Sequence, residues 1–429
     1  MLLVYGAALF LIVTIYLMMR SGRERRARAS LAASKAAGLT EPISLHPVID
    51  PATCLGCGTC ISACPEGDVL GLIEGKAQLI NPTHCIGHGA CRAACPTESI
   101  TLVFGSETRG VDIPMVKPNF ETNVPGIFIA GELGGMGLIR NAIEQGRQAI
   151  ESIAKLDGIG RGKDWDVVIV GAGPAGLAAT LAAKQHKLKY ATLEQSSLGG
   201  TIAHYPRRKL VMTAPAKLPL VGQIKFKETS KEDLLKFWQK VERDQRLAIN
   251  TDERVEAVTP IGGGFIVRSD RAQYSTRAVL LAIGRRGTPR KLDVPGEDAE
   301  KVVYRLIDPD QYQGQKVLVV GGGDSALEAA ASLAEVRDTV VTLSYRAGAF
   351  SGAKEANRRR VEAVANGGRL KIMLNSNIRR IAADQVEIDS NGATCTLAND
   401  AVIVCVGGVL PTTFLKGIGI ETETKFGTA

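Results

Sequence analysis

The chain has 429 residues, enough for two to four domains with cores of their own. Its 47 glycines and scarce aromatics suit an α/β protein with many tight phosphate-binding turns. The formal charge of +8 is uneven: Arg20, Arg23, Arg25, Arg26, Arg28 and Lys35 form one basic run offset only by Glu24. No nucleic-acid-binding motif accompanies that run, which argues against DNA or RNA as a partner and for the flank of a membrane segment.

In chain order, Leu2 to Met19 reads LLVYGAALFLIVTIYLMM, uncharged and long enough to cross most of a bilayer as a helix. No basic residue precedes it and the arginines follow it, the reverse of a secretory signal. By the positive-inside tendency, the chain from Arg20 onward lies in the cytoplasm. Residues 1–20 therefore read as an uncleaved transmembrane anchor and 21–47 as a basic tether, in which Ala- and Ser-rich Ser30 to Thr40 reads as tether or short helix.

Seven of the nine cysteines lie between Cys54 and Cys95, which in a large enzyme-like chain points to metal rather than disulfides. Cys54, Cys57, Cys60 and Cys64-Pro65 follow C-x2-C-x2-C-x3-C-P. Cys85, His88, Cys91 and Cys95-Pro96 repeat that spacing with a histidine in second place. Zinc sites usually set two ligands against two distant ones. The doubled run instead resembles that of two-cluster bacterial ferredoxins, over about residues 49–104. In such a run the fourth cysteine serves the other cluster.

The resemblance implies a small α+β ferredoxin domain over 48–105. Cluster I would take Cys54, Cys57, Cys60 and Cys95; cluster II would take Cys64, Cys85, Cys91 and His88. Both are expected to be 4Fe-4S iron–sulfur clusters. For cluster II, a 3Fe-4S core with His88 unligated, or water as fourth ligand, stays open. An imidazole ligand adds no negative charge and so favours the reduced form, the direction seen in Rieske centres.

Thr122 to Glu132 then reads TNVPGIFIAGE, and Asn141 to Gly146 begins a helical stretch. Asp166 to Gly176, DVVIVGAGPAG, is a β-branched strand running into G-x-G-x-x-G at Gly171, Gly173 and Gly176, with Pro174 and Ala175 inside it. Two of these glycines permit the tight turn and close approach of a pyrophosphate, and the third lets helix pack on strand. Glu194, 18 residues after Gly176, ends the next strand and is placed for ribose hydroxyls. Lys316 to Ala326, KVLVVGGGDSA, is a second such unit, with Gly321, Gly323 and Ala326 and with Asp324 and Ser325 opening its helix. Its following strand ends in Tyr345-Arg346, and an arginine there can pair a 2′-phosphate. Lys354, Arg358, Arg359 and Arg360 lie close behind. NADPH is expected, with NADH possible.

Two such folds imply two dinucleotides, FAD and NADPH. From about Arg109 to its end the chain resembles the low-molecular-weight thioredoxin reductase family of flavoproteins, within it the bacillithiol-disulfide-reductase-like branch. The motifs that carry this are GAGPAG, LGGTI (Leu198 to Ile202), LLAIGRRGTP (Leu280 to Pro289), VVGGGDSALEAA and VPGIFIAGE. The resemblance implies an α/β fold class with two Rossmann-like dinucleotide-binding domains, for FAD and NAD(P), and a homodimer as the common assembly. It adds Gly200, Thr201, Ala282, Gly284, Gly131 and Glu132 to the flavin site.

In that family the P-G-I-F-x-A-G-D segment closes the chain. Here it precedes the first dinucleotide fold, with Glu132 for the usual Asp, and the chain stops at GIGIETETKFGTA where the segment would follow. A circular permutation is expected. Residues 106–157 would be the C-terminal-type FAD segment, 164–287 the FAD-binding domain, 288–400 the NAD(P)H-binding domain and 401–429 the return to the FAD domain.

The family's redox C-x-x-C would fall between Val294 and Gln315, where this chain has no cysteine. The cysteine associated with the bacillithiol branch is replaced by Ala175. Neither thiol chemistry has its nucleophile, and the clusters take the acceptor's place. The expectation is a membrane-anchored NAD(P)H oxidoreductase passing electrons between NADPH, FAD, two iron–sulfur clusters and an external one-electron carrier. That carrier would be a redox protein or a membrane electron-transfer complex. Protein side chains would bind and tune cofactors rather than act as acids or bases. The chain also resembles the small subunit of glutamate synthase, which combines the same cofactors. The alternative is a non-catalytic electron-relay or redox-sensing subunit.

Overall fold

The computed structural model describes residues 2–42, 45–85, 87–106, 110–134, 138–161, 164–205, 207, 209–212, 216–224, 228–285, 289–408 and 411–427. Arg286, Gly287 and Thr288 of the LLAIGRRGTP motif lie outside these. Helix α1 runs unbroken from Leu2 to Ala36. Its apolar half is exposed, with Tyr5, Leu9 to Val13 and Ile15 to Met19 facing outward.

The tether expected from residue 21 is corrected, because the helix continues through Ala36; from Ser30 onward the short-helix alternative is the one observed. Residues 21–36 are rich in Ala and Arg, which favour helix, and the Glu24–Arg28 pair at 2.8 Å spans one turn. One face of this half also packs: Ala27 is buried with Ile73 and Ile80. A Cβ on Gly71 would come within 2.7 Å of the Ala27 methyl, so glycine there sets how closely the helix approaches.

The ferredoxin domain pairs β1 (His46–Ile49) with β4 (Ile100–Val103), and β2 (Leu70–Ile73) with β3 (Lys76–Leu79), both antiparallel. Short helices α2 (Thr59–Ala63) and α3 (Ala90–Ala93) carry Cys60 and Cys91. Each starts from a glycine, Gly58 or Gly89, at φ 76°, so the sequence repeat is also a backbone repeat.

After β5 (Val111–Pro114) and β6 (Ile127–Ile129) comes α4 (Ile139–Ile153), then β7 (Trp165–Val170), α5 (Pro174–Gln185), β8 (Tyr190–Leu193) and α6 (Lys231–Asp244). The strand Gln273–Leu281 pairs in parallel with β7, and its last residues pair in parallel with β6, Val279 opposite Ile127 and Leu281 opposite Ile129. Helices α4 and α5 lie side by side through small residues. A Cβ on Gly146 would stand 2.1 Å from the Ala175 carbonyl oxygen. β5 pairs antiparallel with Thr422–Lys425, so a strand ahead of the first glycine motif and one at the chain's end share a ladder.

The second dinucleotide fold is a parallel sheet in the order Val302–Val303, Ala401–Val404, Lys316–Val320, Val340–Ser344, Leu370–Met373. Its helices are α7 (Asp324–Ala334) and α8 (Glu355–Asn366). The boundary expected at 401 is thereby corrected. Ala401–Val404 is buried throughout and lies beside the central strand of this sheet, which an apolar run such as AVIV suits. The chain crosses back later, near the Pro289–Gly408 bridge, and α9 (Thr412–Gly417) puts Leu415, with Ile420, into the first fold's core.

The ferredoxin domain is held by α8. His84 Nε2 lies 3.0 Å from Glu355 Oε2, and Arg358, 6% exposed, donates from Nη2 to Thr83 Oγ1 at 3.1 Å. Arg358 therefore faces the cysteine domain rather than a dinucleotide phosphate. Arg359 pairs with Glu355, and Arg360 with Glu335 at 2.8 Å. Burial lowers the pKa of both His84 and Arg358, against the pull of Glu355. Arg358→Ala would leave Thr83 without this donor and is expected to cost roughly 1–3 kcal/mol at the interface. The check is faster limited proteolysis between the ferredoxin and flavoprotein portions.

Candidate cofactor sites

The eight metal-ligand candidates fall into two groups. Cys54, Cys57, Cys60 and Cys95 line one cavity, together with Ile49 and Ala77. Cys64, Cys85, His88 and Cys91 line a second, with Val69 and Leu70. In each case the fourth member comes from the other motif, as the two-cluster run requires. Among the described residues no three His, Cys, Asp or Glu side chains close on one point as around a single ion. The donors ring a space in each case.

The donors differ in surroundings. Burial pushes the Cys60 and Cys85 thiols up to about 11, and raises Cys91 as well, so these thiols keep their protons until a cation takes the proton's place. Cys57 is exposed, and hydrogen bonding from Thr59, whose hydroxyl lies 3.3 Å from its sulfur, lowers its pKa. At Cys95 the upward push of burial is outweighed by hydrogen bonds from Thr97 and Ser99. Hydrogen bonds to ligating sulfurs raise a cluster's potential, and the cavity of Cys57 and Cys95 holds both of these.

His88 Nε2 lies 3.6 Å from Glu66 Oε1. Burial lowers the His88 pKa; Glu66 opposes that, while the positive charges of Arg140 and Lys354 add to it. Those two residues stand at the starts of α4 and α8, so the charge at both helix starts is felt at His88.

The flavin-site candidates also converge. A Cβ on Gly176 would sit 1.8 Å from the Gly171 carbonyl oxygen, and one on Gly171 would sit 2.6 Å from that of Ala282. A Cβ on Gly200 would lie 3.1 Å from Gly173 Cα, and one on Gly131 3.0 Å from Ala175 Cβ; the nearest atom to one on Gly284 is Thr201 Oγ1, at 3.9 Å. Pro174 opens α5 over the turn, as suits a first helical position. Glu132 follows β6, and the Gly131 N–H donates to Gln145 of α4 at 2.8 Å. Only backbone fits between these strands and helices, which is the cradle a pyrophosphate needs. Glu194 is 4% exposed and accepts from the Ala172 N–H at 2.8 Å and the Ser196 N–H at 3.0 Å, so it also braces the cradle.

In the second cradle a Cβ on Gly321 would lie 2.3 Å from the Cys405 carbonyl oxygen and 3.1 Å from Ala326 Cβ. Gly323 and Ser325 flank Asp324, whose Oδ1 accepts from the Lys354 N–H and the Asn357 amide, both at 2.7 Å. Asp324 thus fixes the start of α8. Arg346 is exposed just beyond the strand Val340–Ser344. Sequence reasoning missed Tyr345 as a part of this site. Its ring lies against Gly322, where a Cβ would come within 2.4 Å, and it stacks on Phe350 with centroids 5.5 Å apart. The signal was the third consecutive glycine.

A family model for pyridine nucleotide-disulphide oxidoreductases matches residues 168–428, and one for the 4Fe-4S dicluster domain matches 46–96. A ferredoxin–NADP reductase of Ignicoccus hospitalis is 28% identical over 268 residues, 61% of this chain and 83% of its own. One of Levilactobacillus brevis is 35% identical over 194 residues, 44% of this chain and 55% of its own. Among solved structures, the bacillithiol disulfide reductase of Staphylococcus aureus aligns over 61% of this chain and 84% of its own, at 26% identity and TM-score 0.56. With both glycine cradles inside a match of that extent, the chain belongs to the pyridine nucleotide-disulphide oxidoreductase family and is an FAD-dependent oxidoreductase with a 4Fe-4S dicluster domain at its front.

Proposed function

We propose that the chain is a membrane-anchored NAD(P)H oxidoreductase that joins NADPH, FAD and two 4Fe-4S clusters to an external one-electron carrier. When bound, FAD would exchange hydride with nicotinamide and single electrons with iron–sulfur centres, which neither of those can do for the other. The observation that carries this reading is the hold of α8 on the stretch leading into Cys85, through Glu355 to His84 and Arg358 to Thr83. The protein's part is to hold donors and acceptors in fixed relation. β6 and α4, placed ahead of the first glycine motif in sequence, stand beside its cradle in space, which supports the permuted order. Its relatives named ferredoxin–NADP reductase support a ferredoxin-type partner; here a ferredoxin domain is part of the same chain.

Cys54, Cys57, Cys60 and Cys95 would hold cluster I, and Cys64, Cys85, Cys91 and His88 cluster II. Glu66 stands 3.6 Å from His88 Nε2 and would be the outer partner of a ligating His88. α1, apolar through Met19 and followed by arginines, supplies the anchor. Arg346 would read the 2′-phosphate: Arg346→Ala is expected to raise KM for NADPH about tenfold or more, as loss of a charge-assisted pair does, with KM for NADH nearly unchanged. Equal effects on both would remove that role.

The function itself is tested by anaerobic mixing of the holoprotein with NADPH. Bleaching of the flavin followed by reduced-cluster resonance signals is expected. An unchanged flavin spectrum would instead favour a relay subunit that does not turn over nicotinamide.

A further inference from the structure

α1 meets the ferredoxin domain at its first charged residue. A Cβ on Gly75 would stand 3.7 Å from the Arg20 guanidinium, and one on Gly56 would strike the Gly75 carbonyl oxygen at 1.9 Å. The Arg20 side chain at the end of the apolar run thus reaches Gly75, and a close backbone approach joins Gly75 to Gly56 in the loop that carries Cys57. That loop is on the surface, with Leu55 75% exposed and Cys57 exposed. Farther along the helix the contacts move away from cluster I. Glu24 and Arg28 hold Glu74, and then Ser30 and Ser34 donate to Asn81 Oδ1 at 3.0 and 2.7 Å. Asn81 leads into Thr83, His84 and Cys85, the edge of cluster II that α8 grips. The step from Arg20 to Ser34 corresponds to about 21 Å of helix. The helix contains no proline and no break, so this spacing is rigid rather than tethered.

We propose that the Leu55–Gly58 face of cluster I lies at the membrane surface and delivers electrons to a redox centre held within the membrane, not to a soluble carrier. The inference rests on the anchored-reductase reading above. Each transfer moves one electron from reduced cluster I to the membrane centre, with no bond or proton exchanged; NADPH replaces those electrons in pairs through the flavin. Cluster II is then the inner centre, beside the dinucleotide folds, and cluster I the outlet.

The test uses the full chain in liposomes containing a lipid whose headgroup chelates gadolinium. Both clusters are reduced with dithionite, so the result does not depend on NADPH. The spin relaxation of cluster I should rise by a larger factor than that of cluster II, relative to liposomes without gadolinium. Equal factors, or a larger one for cluster II, overturn the proposal. In a second variant about ten Gly and Ser residues are inserted between Met19 and Arg20, a flexible coil of roughly 17 Å. It should still float with vesicles and bleach with NADPH, yet lose the cluster I preference and much of its electron delivery to native membranes. Full retention of both would overturn the proposal. Failure of the unaltered chain to float would remove the anchor and the outlet together; failure of NADPH to bleach the flavin would remove only the reductase reading.

Discussion

Cys95→Ser is expected to abolish cluster I, although Cys95 stands in the second motif. Its sulfur shares a cavity with Cys54, Cys57 and Cys60, while the other members of its own motif line the other one. Iron should fall from about eight to about four atoms per chain, the content of two and one 4Fe-4S clusters. The resonance that survives should be the one altered by His88→Cys. With the outlet gone, reduction of an external carrier should drop more than about 100-fold, equivalent to roughly 2.7 kcal/mol on the transfer barrier. Bleaching of the flavin by NADPH should change little, because both glycine cradles lie in separate cores. Loss of the His88-dependent signal instead would reverse the crosswise assignment.

Gly176→Val is expected to yield protein almost free of flavin. The first methyl-sized addition at 176 already lies 1.8 Å from the Gly171 carbonyl oxygen, and that oxygen belongs to backbone that cannot swing aside. Forcing the turn open costs at least the 1–3 kcal/mol typical of overpacking, roughly, and destroys the close approach on which a pyrophosphate depends. Flavin per chain should fall more than tenfold while iron content stays unchanged. Gly173→Ala is the matched control. Its Cβ would meet only Gly200 Cα, at 3.9 Å, so the fold should persist with weakened flavin affinity. Comparable melting of the two variants would show that the cradle is looser than these distances imply.

Much of this was legible in the sequence because the chemistry is written in fixed spacings. The C-x2-C-x2-C-x3-C-P repeat placed all eight ligand candidates in the groups the structure assembles, and His88 in register with Cys57. The glycine motifs mark tight turns for the same reason: only a residue without a side chain fits 1.8 Å from a carbonyl. What escaped was tertiary. The basic stretch after Met19 looked like a tether because its charges suggest solvent, yet small Ala27 over Gly71 gives that half a buried seam. The run at 401 was assigned across a boundary because an apolar strand carries no mark of the sheet it joins. Arg358 was grouped with phosphate-binding arginines because sequence shows its charge but not Thr83 at the end of it. The order of the two clusters relative to flavin and membrane was likewise unreadable, since it depends on which faces of the ferredoxin domain meet α1 and α8.

The ladder between Val111–Pro114 and Thr422–Lys425 bears on how the molecule is made. All eight candidate ligands of the iron-bearing unit are synthesised by residue 95, whereas the flavoprotein's first strand must wait for a mate some three hundred residues downstream. Metal insertion can therefore begin during translation, but flavin capture becomes secure only after synthesis is nearly finished. Shortened or prematurely terminated chains should emerge brown rather than yellow.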